Sequence, residues 1–229
     1  MSIRKHFFLM KLGRFYCYLF VLPLLVLSAC HKDIQSQTEV YTNNFENASL
    51  AGIQGGIQSV YDSKKVLGFY NNSGFTLTLS GLAKHDLLLV KFDLYLHDSW
   101  GGNNTGTIDV VDGPDVWQLK INNETHFNTT FSNSGCFPTY CQQQSYPKNF
   151  PFHHDAGTGA SRTDLPGRCS LANTPGGTTM YRIEKIFNNS SSNPVLEFKD
   201  LLKQNNAVNM LCDESWSLDN LSVSILTLD

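Results

Sequence analysis

Two short segments of this 229-residue chain repeat one arrangement of reactive side chains. His97-Asp98-Ser99-Trp100-Gly101 and Asp213-Glu214-Ser215-Trp216-Ser217 each set an acid, a serine and a tryptophan in a row at the end of a strand-like run. A third acidic group, Asp109, Asp112 and Asp115, comes just before Trp117. Asp93, Tyr95 and His97 alternate along one stretch, so they share one face of a strand and interleave an aromatic with hydrogen-bonding groups. That is the best candidate for a binding face. Trp100 sits beside Gly101-Gly102 at a loop start, where an exposed ring could stack on the C–H surface of a sugar. Hydrolysis is poorly supported. Glycosidases need two carboxylates at a fixed separation, and the adjacent Asp213 and Glu214 would point to opposite faces of a strand. A G-x-S-x-G serine elbow is also lacking. His153-His154-Asp155 reads as a solvated loop rather than a metal or base cluster.

The elements that must position these groups read as strands. In 87–97, Leu88, Val90, Phe92, Leu94 and Leu96 fall on one face, with Lys91, Asp93, Tyr95 and His97 on the other. The same period of two runs through 75–80, through 116–121 with Trp117, Leu119 and Ile121 together, and through Leu221, Val223 and Ile225. Shorter candidates are 180–187 and 195–198. Gly, Asn, Ser and Pro clusters separate the runs, as in Gly101-Gly102-Asn103-Asn104 and Pro175-Gly176-Gly177. One short helical turn fits within 200–209. Many strands without intervening helices predict an all-β, antiparallel sandwich as one domain over 43–229, with a long loop near 133–175. Trp117 is expected in its core.

Charge and cysteine usage add a location. Four of the 17 basic residues (Arg4, Lys5, Lys11, Arg14) fall in the first thirty, which hold no acid. The remainder carries 13 basic against 20 acidic residues, a formal net of −7. Such a body is unsuited to binding nucleic acid. The apolar run 15–27, broken by Pro23, has the proportions of a signal-peptide core rather than a membrane span. It ends in Leu27-Ser28-Ala29-Cys30, which resembles a bacterial lipobox. That resemblance implies a lipoprotein: a signal peptide over 1–29 that is cut away, and Cys30 carrying diacylglycerol and palmitate-type acyl chains. Two or three chains on one residue give stable attachment. Residues 30–42 would then be the lipidated N-terminus and a polar tether. The implied place is the bacterial cell envelope, at the outer membrane or a periplasm-facing membrane. Four further cysteines, Cys136, Cys141, Cys169 and Cys212, suggest two disulfides in an oxidising space. Cys136 with Cys141 could close locally and Cys169 with Cys212 could clip a long loop. Zinc is the competing reading, and two of the four cysteines lack paired spacing.

Asn44-Phe45-Glu46 early, Leu218-Asp219-Asn220-Leu221 late, and the segments 93–100, 113–117, 129–131, 144–147 and 213–223 between them carry a second resemblance. Together they resemble the jelly-roll sandwiches of carbohydrate-binding modules and concanavalin A-like secreted domains. The resemblance implies a jelly-roll-like fold and a structural calcium between the first and last strands, with Glu46 and Asp219 as ligands. Calcium takes six to eight oxygens, so carboxylates with loop carbonyls suit it. Asp98 with Asn103, or Asp213 with Glu214, would form a second calcium site. The combined reading is a lipid-anchored, non-catalytic binding protein of the cell envelope. Glycan is its expected ligand, and Asp93, Tyr95, His97 and Trp100 are its expected contacts. The alternatives are a structural or protein-adhesion module and, further off, a divergent glycoside hydrolase.

Overall fold

The structure is a computed structural model that describes residues 33–107, 109, 112–134 and 142–229. Cys30, Cys136 and Cys141 lie outside the described residues, as does the signal-peptide region. The elements are almost all strands: β1 (Ile34–Asn43), β2 (Ile53–Gln54), β3 (Gln58–Tyr61), β4 (Lys64–Tyr70), β5 (Gly74–Thr78), β6 (Leu87–Asp98), β7 (Val116–Ile121), β8 (Glu124–Thr130), β9 (Arg162–Pro166), β10 (Pro175–Asn188), β11 (Val195–Asp200), the helical turn α1 (Met210–Asp213) and β12 (Glu214–Leu228). All pairings are antiparallel. One sheet runs β3-β4-β12-β6-β10-β9, with β1 also against β12, and the other runs β2-β5-β11-β7-β8. This is the antiparallel sandwich that the alternation predicts.

The sheets meet through the apolar phase of each strand. From β6, Leu88, Val90, Phe92, Leu94 and Leu96 are all buried. Phe92 packs on Trp117 and Phe198 at ring-centroid distances of 5.5 and 5.6 Å. Trp216 meets Trp117 edge-on at 5.7 Å and Tyr70 at 4.7 Å. Each such ring buries enough apolar surface to contribute on the order of 2–3 kcal/mol. Trp117 is therefore core, as the spacing predicts.

β12 is the axis of the larger sheet. β6 runs along it from Glu214↔Asp98 to Leu226↔Leu87, whereas β4 pairs with 216–218 and β1 with 221–228. The change of partner falls at a register shift where Asn220 has φ +53. At the β4 junction Gly68 has φ +149, and a Cβ there would lie 2.6 Å from Ser217 Cβ. Only glycine allows β4 so close to β12 at that point.

Three expectations need correction. Residues 34–42, read as part of a tether, belong to strand β1, which pairs with β12 from Ile34↔Leu228 to Asn43↔Leu221. Its residues are mostly exposed, so no apolar alternation marks it. Backbone pairing to β12 holds it, and Thr38, Val40 and Thr42 suit a strand. The helical turn falls at 210–213, not within 200–209, because the Asn209 side chain caps it by accepting from the Cys212 N–H. The long excursion after 133 contains β9, which joins β10 at the edge of the larger sheet.

The Cys169–Cys212 disulfide is present, with Cα atoms 5.1 Å apart. It ties the loop before β10 to α1.

Candidate ligand-binding cleft

The outer face of β6 carries Asp93, Tyr95 and His97, and the register of β10 and β12 decides what surrounds them. Arg182 pairs opposite Asp93 and Met180 opposite Tyr95 on one side, with Ser217 and Asp219 on the other. β3, β4 and β9 rise at the two edges. Together they enclose a cleft of about 190 Å³ lined by Tyr61, Lys64, Asp93, Tyr95, Arg162 and Arg182, with Asn220 and Met180 beside them.

Its polar groups form a connected set. Arg182 Nε donates to Asp93 Oδ1 at 3.1 Å and Asn220 Nδ2 donates to Asp93 Oδ2 at 2.9 Å. Asp93 is almost wholly buried while the Arg182 side chain is largely exposed, so the guanidinium presents its remaining donors outward. Arg162 is held in a fork by Asp164, both contacts at 2.8 Å. The Tyr61 hydroxyl donates to Pro166 O at 2.6 Å, and its ring lies 5.7 Å from that of Tyr95. Tyr95 is half-buried. Desolvation, then the nearby Asp219 and Asp93 carboxylates, push its phenol up to about 12, so it stays a neutral donor. Asp219 is raised by burial and by Asp93. The cleft thus offers phenol rings, guanidinium donors and an amide, which suits a neutral or weakly acidic polyhydroxylated ligand.

His97 does not reach this cleft. It is fully buried, with Nδ1 3.0 Å from Thr178 Oγ1 and Nε2 2.8 Å from Ser217 Oγ. The Tyr61 ring lies 4.5 Å from it and the Phe69 ring 5.1 Å. The expected ligand contact is corrected to a structural role: the imidazole pins three strands together beneath the cleft. Burial, reinforced by the Arg168 charge, lowers its pKa to about 3 from 6.5. Between those values the unfolded chain takes up a proton that the folded chain refuses. Stability therefore falls, as pH drops below 6.5, by up to about 1.4 kcal/mol per pH unit. His97→Gln removes that penalty. Its destabilisation relative to the parent should be largest near neutral pH and shrink towards pH 4, as read by urea midpoints. A difference that does not vary with pH would contradict this.

Trp100 is also corrected. It is fully buried, and its Nε1 donates to Ser215 O at 2.8 Å, so no face is left for a sugar. The two echoing segments are brought together side by side. Ser99 N donates to Asp213 O at 2.8 Å and Ser99 Oγ to Asp213 Oδ1 at 3.2 Å.

The expected calcium ligands fare differently from one another. Asp98 is buried, and its carboxylate accepts the backbone N–H groups of Cys169 and Leu171 at 2.9–3.2 Å. It anchors that loop. Asp213 accepts from Ser99 and from Gln204 Nε2 at 2.9 Å. Around Glu46 the oxygens are taken by nitrogen donors. Lys65 Nζ donates to Glu46 O at 2.9 Å, Lys65 N to Glu46 Oε1 at 3.3 Å, and Gln58 Nε2 to the carbonyls of Phe45 and Asn47. An ammonium and an amide therefore stand among the oxygens around Glu46, and Asp219 Oδ1 accepts from Asn220 N at 2.7 Å. Among the described residues no three His, Cys, Asp or Glu side chains group as a metal site, and His153-His154-Asp155 is no exception.

Sequence reasoning missed Tyr61, Arg162, Arg182 and Asn220. Only Arg182 had a usable signal: once β10 is paired with β6, the alternation of 178, 180 and 182 puts it beside Asp93.

No family model matches the chain, and no curated protein matches it. Solved structures do. The chain is similar to part of BtGH115A, a family GH115 4-O-methyl-α-glucuronidase with specificity for decorated arabinogalactans, at 16% identity and TM-score 0.34. That match covers 81% of this chain and 17% of the other, so the chain spans about a sixth of that enzyme's length. It is similar to a family 35 carbohydrate-binding module from Clostridium thermocellum at 11% identity and TM-score 0.34, over 82% of this chain and 97% of the module. It is also similar to the carbohydrate-binding module CBM6cm-2 of Cellvibrio mixtus lichenase 5A, in complex with cellotriose, at 11% identity and TM-score 0.30. There the coverage is 83% and 97%.

Proposed function

We propose that this chain is a lipid-anchored protein of the bacterial cell envelope whose sandwich binds glycan without cleaving it. The observation that carries the reading is the cleft on the outer face of β6. The half-buried Tyr95 ring lies there beside the exposed donors of Arg182 and beside Asn220, a pairing of apolar ring face and planar hydrogen-bonding groups that suits a sugar. Asp93 spends both carboxylate oxygens on Arg182 and Asn220, which makes it a poor general acid or base. The lipobox-like Leu27-Ser28-Ala29-Cys30 supports attachment through acylated Cys30, at the outer membrane or a periplasm-facing membrane.

The test is a glycan array probed with the full chain carrying Cys30→Ser, which removes the acylation site. Binding to a defined set of glycans, recovered intact by mass spectrometry after long incubation, is expected. No binding to any glycan would overturn the ligand. Shortened glycans would overturn the non-catalytic part. Mass spectrometry of the native protein tests the anchor separately: acylated Cys30 at the N-terminus is expected, and an unmodified thiol would contradict it.

A further inference from the structure

Two carboxylates are buried where strands of the two sheets begin. Asp115 immediately precedes β7, and Glu214 is the first residue of β12. Both are fully buried. Asp115 Oδ2 accepts the N–H groups of Gly101 and Gly102, the latter at 3.0 Å, but among the described residues its Oδ1 has no partner. Neither oxygen of Glu214 has one. A buried ionised carboxylate without a donor is strongly disfavoured, and the charged groups that act most on this pair are all acidic. Burial first, and then the charges of Asp115, Asp213, Asp112 and Asp200, raise the pKa of Glu214. Asp115 is raised for the same reasons, burial first and then Asp112 and Asp213.

Neutral polar groups border the same space. Gln142 Oε1 is buried and unpartnered, and its Nε2 lies against Gly101 next to Asp115 Oδ2, so a turn of the amide would bring its oxygen to that gap. Gly113 has φ +109, and a Cβ there would collide with Asn104 O and lie 3.0 Å from Asp115 Oδ1. The absent side chain leaves a carbonyl and an orphaned carboxylate oxygen facing one gap.

We propose that Asp115 and Glu214 bind a calcium ion at the start of β7 and β12, with Asn104 O and the Gln142 amide oxygen completing the set. The site is distinct from Glu46 and Asp219 and does not depend on the glycan reading. Oxygen donors alone, without thiolate or imidazole, select a hard cation. Mixed carboxylate, carbonyl and amide ligands suit the loose six-to-eight coordination of calcium better than the strict octahedron of magnesium. The ion would neutralise the buried pair and lock the 101–104 and 112–115 loops to the end of β12.

The test uses the full chain, stripped with chelator and titrated with calcium. Melting is followed alongside terbium luminescence sensitised by the neighbouring Trp117 and Trp216. At a hundredfold excess of calcium over its Kd, a melting-temperature rise of about 5–10 °C is expected, together with terbium emission that calcium displaces. Glu214→Gln, which loses no hydrogen bond and so should fold, is expected to abolish both signals. Asp115→Asn should do the same if it folds. Glu46→Gln should change neither. The proposal is overturned if the parent shows no calcium response, or if Glu214→Gln keeps it. It is equally overturned if Glu46→Gln removes the response, or if Glu214→Gln merely raises the melting temperature of a calcium-insensitive protein. That last outcome would mark a buried pair that stays protonated.

Discussion

Trp100→Ala is expected to destabilise the protein by about 3–5 kcal/mol, the range for removing a fully buried large aromatic. With total stabilities of about 5–15 kcal/mol, much of the folded population at 37 °C would be at risk. The ring belongs to the core between the sheets, and its indole N–H holds Ser215 O. Its own backbone carbonyl accepts from Asn133 N. Truncation would therefore open a cavity and free a buried acceptor where β6 meets the start of β12. Trp100→Phe separates the two contributions, since it keeps most of the ring volume but leaves Ser215 O without its donor, at about 1–3 kcal/mol. Urea midpoints of the three proteins check this. A stable Trp100→Ala that fails only in glycan binding would restore Trp100 to the ligand surface.

Removing the disulfide should have a comparable effect. Cys169 and Cys212 are 43 residues apart in sequence, and closing such a loop in the unfolded chain corresponds to about 4 kcal/mol on the chain-entropy account. The two ends are also held without it. Arg168 Nη1 donates to Leu211 O at 2.6 Å, Ser170 N to Cys212 O at 3.3 Å, and Asp98 accepts from Cys169 N and Leu171 N. The folded geometry should survive, so the loss arises in the unfolded state. Cys169→Ser with Cys212→Ser is expected to lower the urea midpoint while leaving the near-ultraviolet circular dichroism of the folded protein intact. An unchanged midpoint would contradict this account of the bridge.

The parts of the fold legible in the sequence are those where one face of a strand is buried. β6 could be read almost to the residue, because Leu88 to Leu96 alternate against Lys91 to His97. β7 was equally clear from Trp117, Leu119 and Ile121. β1 was not, because a strand exposed along most of its length leaves no apolar period. β3, β4, β8 and β9 are short or sit towards the edges, and burial does not alternate cleanly along them, so no period of two announces them. The same division runs through the site. Asp93 and Tyr95 were legible as a shared face of one strand. Which of their neighbours would cover His97, and which would frame the cleft, depended on the registers of β10 and β12. Trp100 was misread because a following glycine pair suggests exposure. In fact Gly101 and Gly102 turn the chain so that their N–H groups meet Asp115 and the indole returns to the core. Asp98 looked like a metal ligand by type, but the loop carrying Cys169 supplies backbone donors that no local pattern announces.

The most direct measurement of the central claim is the affinity of the strongest array glycan for three proteins by isothermal titration: the parent, Tyr95→Ala and Arg182→Ala. The account predicts at least a tenfold weakening in each variant, about 1.4 kcal/mol, with the near-ultraviolet circular dichroism of the folded protein retained. Equal affinity in all three would place any glycan elsewhere on the sandwich and contradict the assignment of the cleft.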